Sequence, residues 1–141
     1  HEKKNAVKGE PSANSQALRD KIEFLGYQKS PTEFYQTGGI FCFTSHYEGF
    51  PNALCEAMAS GMAVVSFDCP SGPADMIEHG KNGLLVTAGH KVEFVKQLRR
   101  LMDDVELRER LGQEAVKIQE TLAIEKIASK WESIILATDG H

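Results

Sequence analysis

Short apolar runs alternate with polar segments along the middle of the chain. The run at residues 40–43 is too short for a helix and shows no alternation of apolar and polar positions. Such a run is typical of a strand buried on both faces of a parallel sheet. Residues 63–67 predict a second buried strand, and residues 84–86 predict a third after an Asn-Gly turn. The earlier run Ile22, Phe24 and Leu25 predicts a short strand that ends at Gly26.

Helices are predicted between these strands, because a proline opens and a glycine closes each intervening segment. These segments are residues 31–36, with Ser30 as cap, residues 51–60 and residues 73–79. From Lys91 onward the apolar positions keep helical spacing. The positions are Val92, Val95, Leu98 and Leu101, then Leu107 and Leu111, and finally Ile124, Ile127, Trp131, Ile134 and Ile135.

Alternating strands and helices indicate right-handed crossovers and a Rossmann-like α/β fold, with helices on both faces of a parallel sheet and a helical C-terminal segment. Residues 1–13 are polar and predict a linker. One or two helical turns are expected after it, at residues 16–21. We therefore expect one domain over residues 14–137 and a tail at residues 138–141.

Composition and charge exclude several classes of protein. Of the 141 residues, 41% are hydrophobic and 26% are charged, which is typical of a globular domain. The net charge of −4 offers no general attraction to nucleic acid or anionic lipid. Cys42, Cys55 and Cys69 lie far apart, so we expect buried free thiols rather than a metal site or disulfides. No apolar run is long enough to span a bilayer, so we expect a cytoplasmic location.

Candidate chemistry follows the strand at residues 40–43, because ligands of open parallel sheets bind at the carboxyl ends of strands. Gly49 allows close approach of the backbone, and Pro51 begins a helix whose free amides predict an anion site. Asn52, Glu56 and Ser60 share one stripe of this helix. Periodicity alone favours a solvated helix face over a functional one.

The segment that contains Glu48, seven further residues and Glu56, across a Gly-Phe-Pro turn, resembles the signature of retaining glycosyltransferase family 4, the group 1 enzymes of GT-B fold. Other segments appear in that family's order, and the resemblance covers most of residues 15–137. These segments are Ile22-Glu23-Phe24-Leu25-Gly26, Glu56-Ala57-Met58-Ala59-Ser60-Gly61, Gly72-Pro73-Ala74-Asp75-Met76-Ile77 and Asn82-Gly83-Leu84-Leu85-Val86.

The resemblance implies the donor-binding, C-terminal half of a GT-B enzyme. Glu48 would hold a hydroxyl of the donor sugar, and Glu56 would bind the ribose of the nucleotide. The diphosphate would lie on the turn and helix start formed by Gly49, Phe50, Pro51, Asn52 and Ala53. The loop of Phe24, Leu25, Gly26 and Tyr27 would lie near the base.

The implied reaction transfers a glycosyl group from a nucleoside-diphosphate sugar, with UDP-sugars slightly favoured over GDP-sugars, to a glycan or lipid-linked acceptor with retention of configuration. It belongs to polysaccharide or glycoconjugate biosynthesis and needs neither a metal nor another cofactor. The family places an Arg and a Lys that bind the diphosphate, and an N-terminal acceptor domain, upstream. We therefore expect the fragment alone to be inactive, and leave open an association with the inner membrane through the upstream domain.

Other functions remain as alternatives. A sugar-nucleotide epimerase shares the two-domain fold and would bind the same donor. A non-catalytic nucleotide-binding module with a flavodoxin-like sheet is a second alternative, but the acidic cluster expected at a strand end is missing after Phe43. A dinucleotide-dependent oxidoreductase is disfavoured, because no Gly-x-Gly-x-x-Gly follows any predicted strand.

Overall fold

The computed structural model describes residues 21–138. The chain divides into two units, residues 1–31 and residues 32–141. In the first unit, residues 22–29 form neither helix nor strand, so the strand predicted at Ile22, Phe24 and Leu25 is wrong. A strand this short is held only by backbone hydrogen bonds to a neighbour, and the described sheet does not include it. The predicted linker and almost all of the predicted helix at residues 16–21 lie outside the described residues.

The second unit alternates helices and strands as predicted. In chain order the elements are α1 (Thr32–Thr37), β1 (Ile40–Phe43), α2 (Asn52–Ala59), β2 (Ala63–Asp68), α3 (Pro73–Met76), β3 (Leu84–Thr87), α4 (Lys91–Asp103), α5 (Val105–Ala115), α6 (Ile118–Thr121) and α7 (Ile124–Thr138). The strands form one parallel sheet in the order β1-β2-β3. This α/β architecture confirms the predicted fold class.

Two hydrophobic clusters pack on opposite faces of this sheet, because successive side chains of a strand point to opposite sides. The α2 face contains Phe43, Leu54, Ala57, Met58, Met62, Val64, Cys69, Ile77, Ala115 and Ile118. The α4 face contains Ala63, Val65, Phe67, Leu84, Val86, Phe94, Leu101, Leu107 and Leu111. β2 lies in the centre and contributes to both, which is why its residues 63–67 are all buried.

β1 was predicted to be buried on both faces, and this is wrong. β1 lies at one edge of the three-stranded sheet, and only Phe43 is fully buried. Cys42 of this strand is exposed, in contrast to the expected buried thiol, whereas Cys55 and Cys69 are buried as expected. An edge strand has one strand neighbour instead of two, so part of its surface remains open to solvent.

The helix that begins at Pro73 is shorter than predicted. It ends at Met76, and Ile77 is already extended. The side chain of Asn82 accepts a hydrogen bond from the Glu78 amide at 2.8 Å and donates one to the Met76 carbonyl at 3.0 Å. These two bonds replace those that a longer helix would make, so the chain turns instead of continuing to residue 79.

The C-terminal helices also differ in detail from the predicted pattern. α4 buries Phe94 and Leu101, while Val92 is 87% exposed and Val95 is 47% exposed. The buried face of α4 is therefore centred on Phe94 and Leu101, and the predicted positions Val92 and Val95 lie outside it. In α7, Ile124 and Trp131 are exposed along with the other apolar residues of its predicted stripe. Within residues 21–138 no helix is long and apolar enough to cross a membrane.

Candidate functional site

The site is built where the neighbouring parallel strands β1 and β2 end at the same edge of the sheet. Phe43 pairs with Ser66, so the loop after β1 and the loop after β2 leave the sheet side by side. Gly72, in the second loop, has a φ of 134°, and a Cβ there would lie 2.5 Å from Cδ of Pro51. This close approach fixes the start of α2 against the second loop, and only glycine allows it.

The start of α2 presents backbone amides to one side of this edge. Pro51 is the N-cap residue, and its carbonyl accepts hydrogen bonds from the amides of Leu54 and Cys55 at 3.0 and 3.1 Å. The Asn52 amide donates to the Phe50 carbonyl at 2.9 Å. Among residues 21–138, no backbone acceptor is found for the amides of Gly49, Phe50 and Ala53. Unpaired amides at a helix start, with no acidic residue in its first turn, favour binding of an anion.

Glu48 lies just before this turn, in the loop that follows β1. Its side chain is partly buried. Burial raises the pKa of the Cys69 thiol, and the nearby negative charges of Glu48 and Asp68 raise it further. Cys69 follows β2 directly, so the charge of Glu48 acts on a thiol at the carboxyl end of the central strand.

Glu56 lies one helical turn further along α2, on its exposed side. The opposite side of the helix is fixed in the core, because Leu54, Ala57 and Met58 are fully buried. Burial raises the pKa of Tyr35 on α1, and a hydrogen bond to Glu56 and the charge of Glu56 raise it as well. The sequence does not indicate this effect of Glu56 on Tyr35, because nothing in the local pattern of α1 points to a partner on α2.

Glu48, the turn from Gly49 to Ala53 and Glu56 thus lie on one continuous loop and helix, as predicted. The loop predicted near the base belongs to the first unit, so its proximity to this site stays a prediction. Within that loop, Phe24 is 94% exposed and Tyr27 is 90% exposed. Gly26 adopts a φ of 62°, and the side chain of Gln28 donates to the Leu25 carbonyl at 2.6 Å. The loop therefore has a local turn and exposed rings.

A cavity of about 550 Å³ borders the site on one side. Gly49 and Phe50 line part of it, and the other lining residues lie in or next to α3, the turn at Glu78–Asn82, the end of α5 and α6. Neither Glu48 nor Glu56 is among its lining residues, so the cavity flanks the candidate site and does not contain it. Among the described residues, no group of three His, Cys, Asp or Glu side chains is arranged to hold a metal ion.

The sequence profile of the family described as "Glycosyl transferases group 1" matches residues 3–118, which is most of the chain. This chain belongs to the group 1 glycosyltransferases. The Glu48–Glu56 segment, the turn between them and α2 all lie within the matched region. The family resemblance inferred from the sequence is therefore confirmed.

Relatives of this glycosyltransferase domain include the lipopolysaccharide 1,6-galactosyltransferase of Salmonella typhimurium, which is 38% identical over 89 residues, or 60% of this chain and 25% of that protein. TarM from S. aureus, crystallised with UDP and α-GlcNAc-glycerol among its ligands, is 30% identical with a TM-score of 0.78 over 85% of this chain and 24% of its own. The chain spans a third or less of the length of the first curated relatives that it matches.

A third relative identifies which part of a group 1 enzyme this chain represents. The C-terminal domain of LpcC from Francisella tularensis is 30% identical, with a TM-score of 0.64 over 76% of this chain and 56% of that one. The three-stranded parallel sheet with flanking helices therefore matches the C-terminal domain of GT-B glycosyltransferases.

Proposed function

We propose that this domain binds the nucleotide-sugar donor of a retaining hexosyltransferase that acts in polysaccharide or glycoconjugate biosynthesis. One observation carries the proposal. In a member of the group 1 family, two glutamates flank a helix start whose amides lack backbone acceptors among residues 21–138. The UDP bound by TarM and the lipopolysaccharide substrate named for the Salmonella relative support a UDP-sugar donor and a glycan or lipid-linked acceptor.

Each part of the site has a different task in this proposal. The amides of Gly49, Phe50 and Ala53 bind the diphosphate, and they stabilise the negative charge that grows on it as the glycosidic bond breaks. Glu56 lies about 5 Å further along the helix axis, one turn from these amides, and accepts hydrogen bonds from the ribose. Glu48, at the opposite end of the turn, accepts a hydrogen bond from a hydroxyl of the sugar.

The two glutamates therefore act as positioning groups for one donor rather than as an acid and a nucleophile. Holding the anomeric carbon, the diphosphate and the ribose in a fixed geometry lowers the entropic part of the barrier. The acceptor and the upstream cationic residues are supplied by the rest of the enzyme in this proposal, so the isolated chain binds donor without turnover. The anomeric configuration of the product formed by the longer enzyme, followed by proton NMR, tests retention.

Binding is tested by NMR titration of the ¹⁵N-labelled chain with UDP, GDP and ADP. We expect UDP to perturb the amides from Gly49 to Glu56, and we expect Glu56→Ala to weaken UDP binding. Losing a hydrogen bond to a charged group costs about 1.5–3 kcal/mol, which corresponds to at least about tenfold in affinity. Glu109→Ala, an exposed glutamate on α5, is the matched control and should bind as the wild type does.

A second comparison separates the two glutamates. Glu48→Ala should leave the affinity for UDP unchanged and reduce the extra affinity that a UDP-sugar gains over UDP. Glu56→Ala should weaken both ligands by the same factor, because both carry the ribose. If none of the three nucleotides perturbs the segment from Gly49 to Glu56, the donor-site assignment is wrong.

A further inference from the structure

The cavity that flanks the candidate site is lined by both loops that leave the sheet at the carboxyl ends of β1 and β2. Its volume of about 550 Å³ lies within the range of about 300–1,000 Å³ that is typical of small-molecule sites. Gly49 and Phe50 of the first loop line it, and so do Ser71 and Gly72 of the second loop. A ligand in this cavity therefore lies beside the turn to which the proposed function assigns the diphosphate.

The second loop has a backbone conformation that serine rarely adopts. Ser71 has a φ of 69°, and among residues 21–138 no other residue except glycine has a positive φ. Such strain persists only where the surrounding structure imposes it, and it is concentrated at ligand sites. Gly72, the next residue, closely approaches Pro51 at the start of α2. The contact between the two loops thus fixes the shape of the cavity wall that they form.

Two ion pairs also line the cavity. Nζ of Lys81 lies 2.7 Å from Oε2 of Glu78, and Nζ of Lys117 lies 2.7 Å from Oε1 of Glu114. Asp75 is a further lining residue, and its carboxylate forms no ion pair among residues 21–138. The lining therefore contains three carboxylates and two lysines, and each lysine is already paired. This balance of charge does not favour a phosphate or another anion.

The same cavity has apolar lining residues, namely Phe50, Met76, Ile118 and Leu122. The Phe50 side chain is 50% exposed, so its ring is accessible to a ligand. Apolar side chains bind the C–H face of a sugar ring, because both surfaces leave water. The carboxylates and ammonium groups retain acceptor and donor positions for hydroxyl groups, since each forms several hydrogen bonds. A pyranose combines an apolar face with uncharged hydroxyl groups and so matches this lining.

We propose that this cavity binds a neutral pyranose unit of the glycan acceptor, a unit other than the one whose hydroxyl reacts. The inference rests on the proposed donor-site function, which makes a glycan the second substrate. Asp75 and Lys117 form hydrogen bonds to the hydroxyl groups of the unit, and Phe50 packs on its ring. Binding beside the diphosphate turn holds the acceptor near the donor, which lowers the entropic part of the barrier.

The experiment compares four probes by NMR titration of the ¹⁵N-labelled chain. The probes are methyl α-D-glucopyranoside, methyl α-D-galactopyranoside, glycerol and inorganic phosphate. We expect at least one of the two glycosides to perturb the amides of Ser71, Asp75 and Lys117, with a Kd of about 1 mM, because a ligand of so few atoms binds weakly. Glycerol has no apolar ring face and phosphate is charged, so neither should perturb these amides.

Two lining side chains are then removed one at a time. Asp75→Ala and Lys117→Ala should each weaken glycoside binding about three- to tenfold, as for the loss of one hydrogen bond, and leave UDP affinity unchanged. Both residues are exposed, and the ion pair of Lys117 is at the surface, so the two variants should unfold as wild type does. Glu120→Ala is the matched control, because Glu120 is exposed on α6 and does not line the cavity.

Each other outcome decides a specific point. If neither glycoside perturbs the three amides, or if glycerol perturbs them as strongly, the saccharide assignment is wrong. If phosphate alone binds there, the cavity is an anion site and the proposal is wrong. If a glycoside binds equally well to wild type and both variants, it does not occupy this cavity. If a glycoside binds in the cavity but UDP does not bind the chain, the donor-site function is wrong and the acceptor assignment falls with it.

Discussion

The two faces of the sheet differ in what their residues do. The α4 face is built from aliphatic and phenylalanine side chains, and α4 and α5 cover it. The α2 face includes methionine and cysteine side chains, and partly buried residues such as Tyr35, Phe41 and Met76 surround its core. One side of α2 closes this core, and its other side carries Glu56. The α4 face therefore consists of core packing, whereas the α2 face combines core packing with the helix that carries the candidate site.

This difference predicts which substitutions change the free energy of unfolding without changing the affinity for UDP. β2 contributes alternate residues to the two faces, so Val64 and Val65 are neighbours in sequence but belong to different clusters. A cavity made on the α4 face is separated from the candidate site by the sheet. A substitution on the α2 face, in contrast, can move α2, which carries part of the candidate site. Four substitutions test this separation.

Leu111→Ala should have the largest effect on stability. Leu111 is fully buried on the α4 face, and removing a buried leucine side chain costs about 2–5 kcal/mol. Urea unfolding measures the loss, and UDP affinity is measured under conditions where the variant is folded. We expect that affinity to match wild type. Met102→Ala, 60% exposed on α4, is the control and should change stability by less than about 0.5 kcal/mol. A changed UDP affinity in folded Leu111→Ala would show that the sheet transmits the defect.

The elements of both faces could be predicted from sequence to different degrees. The strands and α2 were predicted because continuous apolar runs, a proline and a glycine are local signals. Glu48 and Glu56 were singled out by their resemblance to a family signature, because periodicity alone favours a solvated helix face. The start of α2 at Asn52 and its end at Ala59 lie within one residue of the predicted bounds.

The errors come from contacts that local periodicity does not encode. The end of α3 depends on the Asn82 side chain, and the partial exposure of β1 depends on its place at the edge of the sheet. The close approach of Gly72 to Pro51 likewise joins the loops that follow β1 and β2. Local periodicity contains no information on such pairs, so it does not predict which other segments lie against the Glu48–Glu56 segment.

Gly112→Ala should lower the free energy of unfolding by less than Leu111→Ala does. Gly112 lies in α5 where this helix meets the end of α2, and a Cβ there would collide with the carbonyl oxygen of Gly61. The helices must separate, at a cost of about 1–3 kcal/mol, partly offset by the better helix propensity of alanine. Thermal and urea unfolding measure this cost. An unchanged unfolding free energy would mean that α5 and Gly61 adjust freely, and the two faces would then be less tightly joined than the packing indicates.

Gly49→Ala should have the opposite effect to Gly112→Ala, because it should lower the affinity for UDP and leave stability unchanged. A Cβ at Gly49 would meet no heavy atom within 4 Å, and its φ is not positive, so the unfolding free energy should not change. UDP affinity should fall about tenfold, because the methyl group keeps the diphosphate away from the backbone amides and removes about one charge-assisted hydrogen bond. Isothermal titration and urea unfolding of the same sample give both values. A loss of stability with unchanged affinity would reverse the roles assigned to Gly49 and Gly112.

Asp104→Ala should have the smallest effect on stability. It tests the start of α5, one of the two helices that cover the α4 face. Asp104 is the N-cap of α5, and its carboxylate accepts a hydrogen bond from the Leu107 amide at 2.8 Å. Loss of an N-cap costs about 1 kcal/mol, and Asp104→Asn should recover most of it because asparagine caps equally well. Both variants should bind UDP as wild type does, since the cap acts on α5 alone. If Asp104→Ala weakened UDP binding while Asp104→Asn restored it, the order of α5 would control the α2 face, and the separation of stability from binding would fail at this helix.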